Sequence, residues 1–119
     1  MSKEPTFDNH GYPTSKTLRI IQHWRFEDGY LILMEYIQKA WHWSDFVSSS
    51  PSKDNFGRDV IEYKLVTGGW SGNEDIITAM EYNHLFYALC WKESHRGGKH
   101  IYEIRKDSHE SDRENNTKV

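Results

Sequence analysis

The stretch DVIEYKLVTGGWSGNEDIITAM, residues 59–80, contains the change of hydrophobic period that decides the fold. In its first part Ile61, Tyr63 and Leu65 alternate with charged residues, which is the pattern of a half-buried strand. From residue 76 onward the apolar residues recur three and four positions apart, which is the pattern of a helix. The stretch therefore predicts a strand, a sharp corner and a helix that packs on the sheet.

The corner TGGWSG, residues 67–72, contains three glycines and a tryptophan. Asn73 is a favourable N-cap for the helix, and Glu74 and Asp75 place negative charge at the positive end of the helix dipole. One interpretation is a tight turn in which the glycines adopt positive φ. The other is a binding site for a neutral, cationic or peptide ligand, because the two acids would repel a phosphate. The side chains available to that site are Trp70, Ser71 and Asn73.

The segment LFYALCW, residues 85–91, is apolar on both faces and predicts the central strand of the sheet. Gly97 and Gly98 then predict a hairpin turn into a last strand. If these two glycines form the loop, the opposed pairs are Arg96 with Lys99, His95 with His100, and Lys92 with Glu103.

The N-terminal half is predicted to be helical. Residues 15–24 have helical spacing with Ser15 as an N-cap, and Asp28 caps a longer helix that runs to about Trp43. The composition of residues 48–58 predicts a loop. The predicted fold is therefore α+β, an N-terminal helical half followed by a small β-α-β-β sheet with the helices packed on one face.

The length of 119 residues fits one domain, which we place at residues 16–105. Residues 1–15 lack periodicity and predict a flexible arm, and residues 106–119 have one apolar residue and predict a disordered tail. No apolar run of about eighteen residues and no export leader are present, so we expect no contact with a membrane. A single cysteine fits a reducing compartment and predicts a cytoplasmic protein.

Catalysis is not indicated by any motif in the chain, and no cofactor is expected. Cys90 lies in a strongly apolar segment, where a thiol is usually inert. His95 and His100 lack a third ligand at a spacing typical of zinc sites. The formal net charge of -3 argues against sequence-blind binding of nucleic acid, while a local basic patch at the hairpin leaves direct binding there open as a third alternative.

The predicted hairpin tip collects positive charge from His95, Arg96, Lys99 and His100. It is either a solvated turn or a site for an acidic partner or a small anionic ligand. If the strand before the corner and the strand before the tip are parallel neighbours, both motifs lie at one edge of the sheet, where ligands often bind. Antiparallel strands would separate them. The predicted cleft would be lined by Trp70, Ser71, Asn73, Ser94 and Arg96.

The stretch WHWSDF, residues 41–46, leaves two alternatives for its tryptophans. Both can pack in the core and at the sheet edge, or one of them can be exposed as an anchor for a protein partner. The spacing of two positions between Trp41 and Trp43 is compatible with either arrangement.

The motifs GGWSGNEDIITAM, LFYALCW and SHRGG together resemble a class of small uncharacterised proteins encoded by bacteriophages and prophages. The resemblance covers about residues 65–103, and His95 stands where the pattern has arginine. It implies a phage origin and a life in the bacterial cytoplasm, but no activity. The residues that match are Gly69, Trp70, Ser71, Gly72, Asn73, Glu74, Cys90, Trp91, Ser94, Arg96, Gly97 and Gly98.

Two functions follow as hypotheses. The first is an accessory binding protein that engages a host or phage macromolecule, with a protein as the expected partner. The alternative is a protein that binds a small ligand, such as a nucleotide-like anion, between the corner and the hairpin tip. Neither is an enzyme.

Overall fold

A computed structural model describes residues 4–106 of the chain, and the α+β class predicted from the sequence is confirmed. No helix in this part of the chain is long and apolar enough to cross a bilayer. The predicted tail, apart from Lys106, and the first three residues of the predicted arm lie outside the described residues. The elements in chain order are α1 (Ser15–Gln22), α2 (Tyr30–Ala40), β1 (Val47–Lys53), β2 (Asp59–Val66), α3 (Ser71–Tyr82), α4 (His84–Cys90), β3 (Trp91–His95) and β4 (Lys99–Arg105).

The four strands form one sheet with the order β1-β2-β4-β3, and every neighbouring pair is antiparallel. On the face that carries the core, Tyr63 of β2 lies opposite Tyr102 of β4. All four helices contribute buried side chains to this one core cluster, and Phe86 of α4 stacks on Tyr102 with ring centroids 5.3 Å apart. The helices therefore cover one face, as predicted.

The other face of the sheet carries a small charge network. Glu62 and Glu103 are directly opposite each other on β2 and β4, an arrangement that would be repulsive alone. The Lys92 ammonium lies 3.0 Å from the Glu62 carboxylate and 3.2 Å from that of Glu103. Hydrogen bonds to Glu62 and Glu103 raise the pKa of Lys92. The predicted ion pair between Lys92 and Glu103 is thus present, as half of a triad.

The strand prediction for residues 85–91 is wrong for all but Trp91, because residues 84–90 form α4 and β3 begins at residue 91. Asn83 caps this helix by accepting a hydrogen bond from the Phe86 N–H, and its amide group donates to the carbonyls of Ile21 and Trp24. Leu89 is more than half exposed rather than buried in a sheet. A short run that is apolar on both faces does not distinguish a strand from a helix, and the cap decides between them here.

The loop prediction for residues 48–58 is wrong for its first six residues, which belong to β1. β1 pairs with β2 in continuous register from Val47 opposite Leu65 to Lys53 opposite Asp59. Serine-rich composition did not indicate a strand because the pairing uses backbone groups. Pro51 is tolerated because β1 is an edge strand.

The hairpin is confirmed at its predicted place, but its register differs by one residue. His95 lies opposite Lys99 and Ser94 opposite His100, so the loop has three residues, Arg96 to Gly98. The predicted opposition of Arg96 with Lys99 and of His95 with His100 is therefore wrong. An irregularity between Trp91 and Glu93 shifts the pairing again, which brings Lys92 to the outer face.

Several predicted helix ends also move. Thr14, not Ser15, caps α1, with its side chain accepting from the Thr17 N–H. Asp28 belongs to a short 3₁₀ turn, and Gly29, at a φ of 90°, precedes α2. α2 ends at Ala40 rather than near Trp43, because the next residues are held by contacts described below.

Residues 4–14, for which a flexible arm was predicted, form a turn closed by a bridge between Phe7 and Pro13. The turn is joined to α1 because the Thr6 N–H donates to the Thr17 hydroxyl, which donates back to the Thr6 carbonyl. Tyr12 is thereby placed beside the Gly-rich corner.

Candidate functional site

The Gly-rich corner and the hairpin tip lie side by side, although the predicted strand arrangement is wrong. β2 and β3 are not neighbours, since β4 lies between them and is antiparallel to both. β2 and β3 therefore run in the same direction, and both end at the same edge of the sheet. There the Thr67 N–H donates to the Gly98 carbonyl at 3.0 Å. A Cβ on Gly98 would lie 2.2 Å from the Thr67 hydroxyl oxygen, so this approach requires a glycine.

The corner side chains that were predicted to line a cleft with the tip have other partners. Trp70 stacks on His42 with ring centroids 4.5 Å apart, and it also contacts Tyr12 with ring centroids 4.7 Å apart. The Ser71 hydroxyl donates to the Tyr12 hydroxyl at 3.2 Å. The corner therefore faces the turn before α1 and the segment after α2.

The tip side chains form a separate group. The Trp91 indole N–H donates to the Ser94 hydroxyl, whose oxygen lies 2.8 Å from His100 Nδ1. Burial lowers the pKa of His100, with nearby His95 acting in the same direction and the carboxylates of α3 acting against it. The His95 side chain bonds to Glu93 on its own strand. Arg96 is exposed in the loop, and Lys99 is half-buried beside it.

Asn73 was predicted as the N-cap of α3, and this is wrong. Trp70 occupies the N-cap position without a side-chain hydrogen bond, and α3 begins at Ser71. The Asn73 side chain is fully buried and faces the chain after α2. Its oxygen accepts from the His42 N–H at 2.9 Å, and its amide nitrogen donates to the His42 carbonyl at 3.0 Å and to the Thr67 carbonyl at 3.3 Å. We call this arrangement the Asn73 clamp.

The Asn73 clamp explains where α2 stops. A side-chain amide that binds both the N–H and the carbonyl of His42 replaces the hydrogen bonds that a continuing helix would make. The neighbouring Trp41 indole N–H donates to the Val66 carbonyl at 3.1 Å, which fixes the same segment to the end of β2. Trp41 is buried whereas Trp43 is exposed, which matches the alternative in which one of the two tryptophans is exposed.

Five aromatic side chains follow one another across the corner, and we call them the aromatic row. Successive ring centroids along the row lie 4.5–5.5 Å apart, with a further contact of 6.5 Å between Trp43 and Trp70. Trp43 is 45% exposed and Phe46 is 40% exposed. The members of the row, in spatial order, are Tyr12, Trp70, His42, Trp43 and Phe46.

Trp43 has a φ of 64°, and within residues 4–106 it is the one residue other than glycine with positive φ. A bulky side chain in this conformation costs about 1–3 kcal/mol and persists only where the surroundings hold it. Here the Asn73 clamp fixes the preceding residue, and the Trp43 carbonyl accepts the Phe46 N–H at 2.8 Å. These contacts therefore maintain the strained backbone of Trp43, and in that conformation its indole ring lies at the surface.

Gly68 lies directly beneath the rings of Trp43 and Phe46. Its φ is 64°, and a Cβ added there would be 2.7 Å from the Trp43 ring and 2.8 Å from the Phe46 ring. Trp43, Asp45, Phe46 and Gly68 line an open pocket of about 420 Å³. The glycine that sequence analysis assigned to a tight turn thus also leaves room for this pocket.

Cys90, the single cysteine of the chain, is buried. Burial raises the pKa of the Cys90 thiol from its ordinary 9.0 to about 12, so the group stays protonated at neutral pH. Within residues 4–106, no three His, Cys, Asp or Glu side chains gather as metal ligands would.

Sequence analysis therefore missed part of the site. It identified Trp70, Ser71 and Asn73 but linked them to the tip, whereas the structure links them to Tyr12, His42 and Trp43. The pair of tryptophans in WHWSDF was the available sequence signal, but a spacing of two positions does not tell which of the two rings is exposed. Comparison of the chain with models of protein families, with curated proteins and with solved structures found no match in any of the three.

The Asn73 clamp can be tested with Asn73→Asp, which keeps the shape of the side chain. An aspartate still accepts from the His42 N–H but cannot donate to the carbonyls of His42 and Thr67. We expect the free energy of unfolding to fall by at least about 2 kcal/mol, measured by urea denaturation. The control Asn55→Asp, at an exposed loop position, should change it by less than about 0.5 kcal/mol. Equal effects of the two substitutions would show that no clamp exists.

The space above Gly68 can be tested with Gly68→Ala and Gly69→Ala. Both glycines have positive φ, so each alanine should cost about 1 kcal/mol through the backbone. A Cβ on Gly69 meets nothing within 4 Å, whereas one on Gly68 meets two rings. We expect Gly68→Ala to cost about 1–3 kcal/mol more than Gly69→Ala and to shift the Trp43 indole signal in NMR spectra. If Gly69→Ala costs as much and moves the same signal, Trp43 does not lie on Gly68.

Proposed function

We propose that this protein is a small binding protein that engages a protein partner through the aromatic row. The observation that carries the proposal is the exposed ring of Trp43, held at positive φ by the Asn73 clamp. Backbone strain of this kind clusters at functional sites, where it is maintained because the geometry is needed. Packing of the core does not require it, since the Trp43 side chain lies outside the core.

The chemistry of the row fits a protein interface. Tryptophan and tyrosine are enriched among the residues that dominate binding energy, because they bury a large area at a small cost in side-chain entropy. The row supplies five adjacent aromatic rings beside an open pocket. Its ring contacts hold the exposed side chains in place before binding, which reduces the ordering cost of association.

The bacteriophage-type origin and a place of action in the bacterial cytoplasm belong to the same proposal. They rest on the resemblance of the corner and hairpin motifs, and on the single cysteine. A small chain that exposes an aromatic row fits an accessory role in which it binds a host protein, either to inhibit that protein or to assist it.

The alternative, a nucleotide-like anion held between the corner and the tip, has less support. Trp70 and Asn73 are engaged with His42, so they are not available to a cleft shared with Arg96. Glu93 stands beside His95 at the tip and offsets its charge when that histidine is protonated. The geometry therefore favours the aromatic row over the cleft.

The proposal can be tested by quantitative capture from a bacterial host lysate with three immobilised full-length proteins. Trp43→Asn removes the ring, and asparagine tolerates positive φ, so the variant should remain folded. Phe56→Asn is the matched control, because Phe56 is the most exposed large apolar residue within residues 4–106 and lies in the β1–β2 turn, far along β2 from the corner.

We expect the wild type and Phe56→Asn to retain the same proteins in the same amounts. Trp43→Asn should retain at least about 10-fold less of them, the effect of removing a central aromatic anchor. Capture by Trp43→Asn at the wild-type level, or no reproducible protein with the wild type, would contradict the proposal.

A further inference from the structure

The pocket beside the aromatic row combines two kinds of wall. The rings of Trp43 and Phe46 have centroids 5.5 Å apart and are inclined by 54° to each other, so they form two aromatic walls set at an angle. Gly68 forms the floor of the pocket. Asp45, which lies between Trp43 and Phe46 in the sequence, adds a carboxylate to its lining. The face of an aromatic ring is the negative part of its quadrupole, so the two rings and the carboxylate all attract a cation.

The carboxylate in this pocket is that of Asp45, which is exposed and has no ion-pair partner within residues 4–106. Among the same described residues, no lysine or arginine lines the pocket. Two further exposed acids, Glu74 and Asp75, lie in the first turns of α3, directly after the corner. The charged residue that the described chain places in the wall of the pocket is therefore an acid, while the cations Arg96 and Lys99 lie at the neighbouring hairpin tip.

We propose that the pocket formed by Trp43, Asp45, Phe46 and Gly68 holds the side chain of an arginine or lysine from a basic segment of the protein partner. The inference rests on the proposed function and adds the chemistry that the partner must have. A cation over aromatic faces and beside a carboxylate gains from both, whereas an apolar side chain would strip water from Asp45 without compensation.

Arginine fits the site better than lysine. Its guanidinium is planar, so it can stack on the Trp43 ring and still present N–H groups to the Asp45 carboxylate. It is also more weakly hydrated than an ammonium group, which lowers the cost of entering the pocket. An anionic side chain in the pocket would meet the Asp45 carboxylate and would be repelled.

The test uses the full-length protein and two capped tripeptides, Gly-Arg-Gly and Gly-citrulline-Gly. Citrulline has the shape of arginine without its charge, so the pair isolates the cation. Binding is followed by NMR titration of the Trp43 indole N–H and the Gly68 amide. We expect the arginine peptide to bind about fivefold more tightly than the citrulline peptide, in line with a cation on exposed aromatic rings.

Two charge-matched variants localise the effect. Asp45→Asn should remove much of the preference for arginine, since it deletes the pocket carboxylate. Asp59→Asn changes the net charge equally at the opposite end of β2 and should leave the preference intact. Equal binding of the two peptides, no titration of these signals at tens of millimolar arginine peptide, or equal effects of the two variants would overturn the inference.

The outcomes separate this inference from the proposed function. If the peptides bind equally while capture still depends on Trp43, the aromatic row binds a partner without a cation in the pocket. If the arginine preference holds while Trp43→Asn captures its proteins normally, the pocket binds cations but is not the surface that engages the partner.

Discussion

The surface chemistry of this protein depends on one buried amide. Asn73 satisfies both backbone groups of His42 and also the carbonyl of Thr67, so it joins the segment after α2 to the corner after β2. A buried polar group left without its partners costs about 1–3 kcal/mol, so the three hydrogen bonds of Asn73 favour this arrangement of the segment. The next residue, Trp43, has positive φ and lies above Gly68. We expect the pocket and the aromatic row to lose their fixed shape when the contact is removed.

The topology of the sheet places the Asn73 clamp where three segments that are distant in sequence meet: the turn before α1, the segment after α2 and the corner after β2. Antiparallel pairing of β2 with β4 brings the end of β2 to the hairpin, and the helices lie on the face that Tyr63 and Tyr102 occupy. The turn before α1 adds Tyr12 to the same edge. The site is therefore built from chain positions far apart in sequence, and its rings contact one another before any partner arrives.

The elements that could be predicted from the sequence are those that a local pattern encodes. Alternation over 59–66 and helical spacing after residue 76 gave β2 and α3, and the two glycines located the hairpin. The predictions were wrong where tertiary contacts determine the secondary structure. The run at 85–91 fits strand and helix equally until Asn83 is seen as a cap, and β1 is ordered by backbone pairing that its serines do not signal. Asn73 was recognised as important, but its partner, His42, lies 31 positions away and leaves no trace in local spacing.

The most direct test of this account is the proton NMR spectrum of the free, full-length protein at Gly68. If the clamp preforms the pocket, the Gly68 Hα protons lie against the Trp43 and Phe46 rings. Ring currents should then move the Hα proton that occupies the Cβ direction well away from ordinary glycine chemical shifts, with nuclear Overhauser contacts to the Trp43 indole protons. Ordinary Hα shifts at Gly68, without contacts to that indole, would show that the aromatic row is not formed in the free protein and would contradict the account.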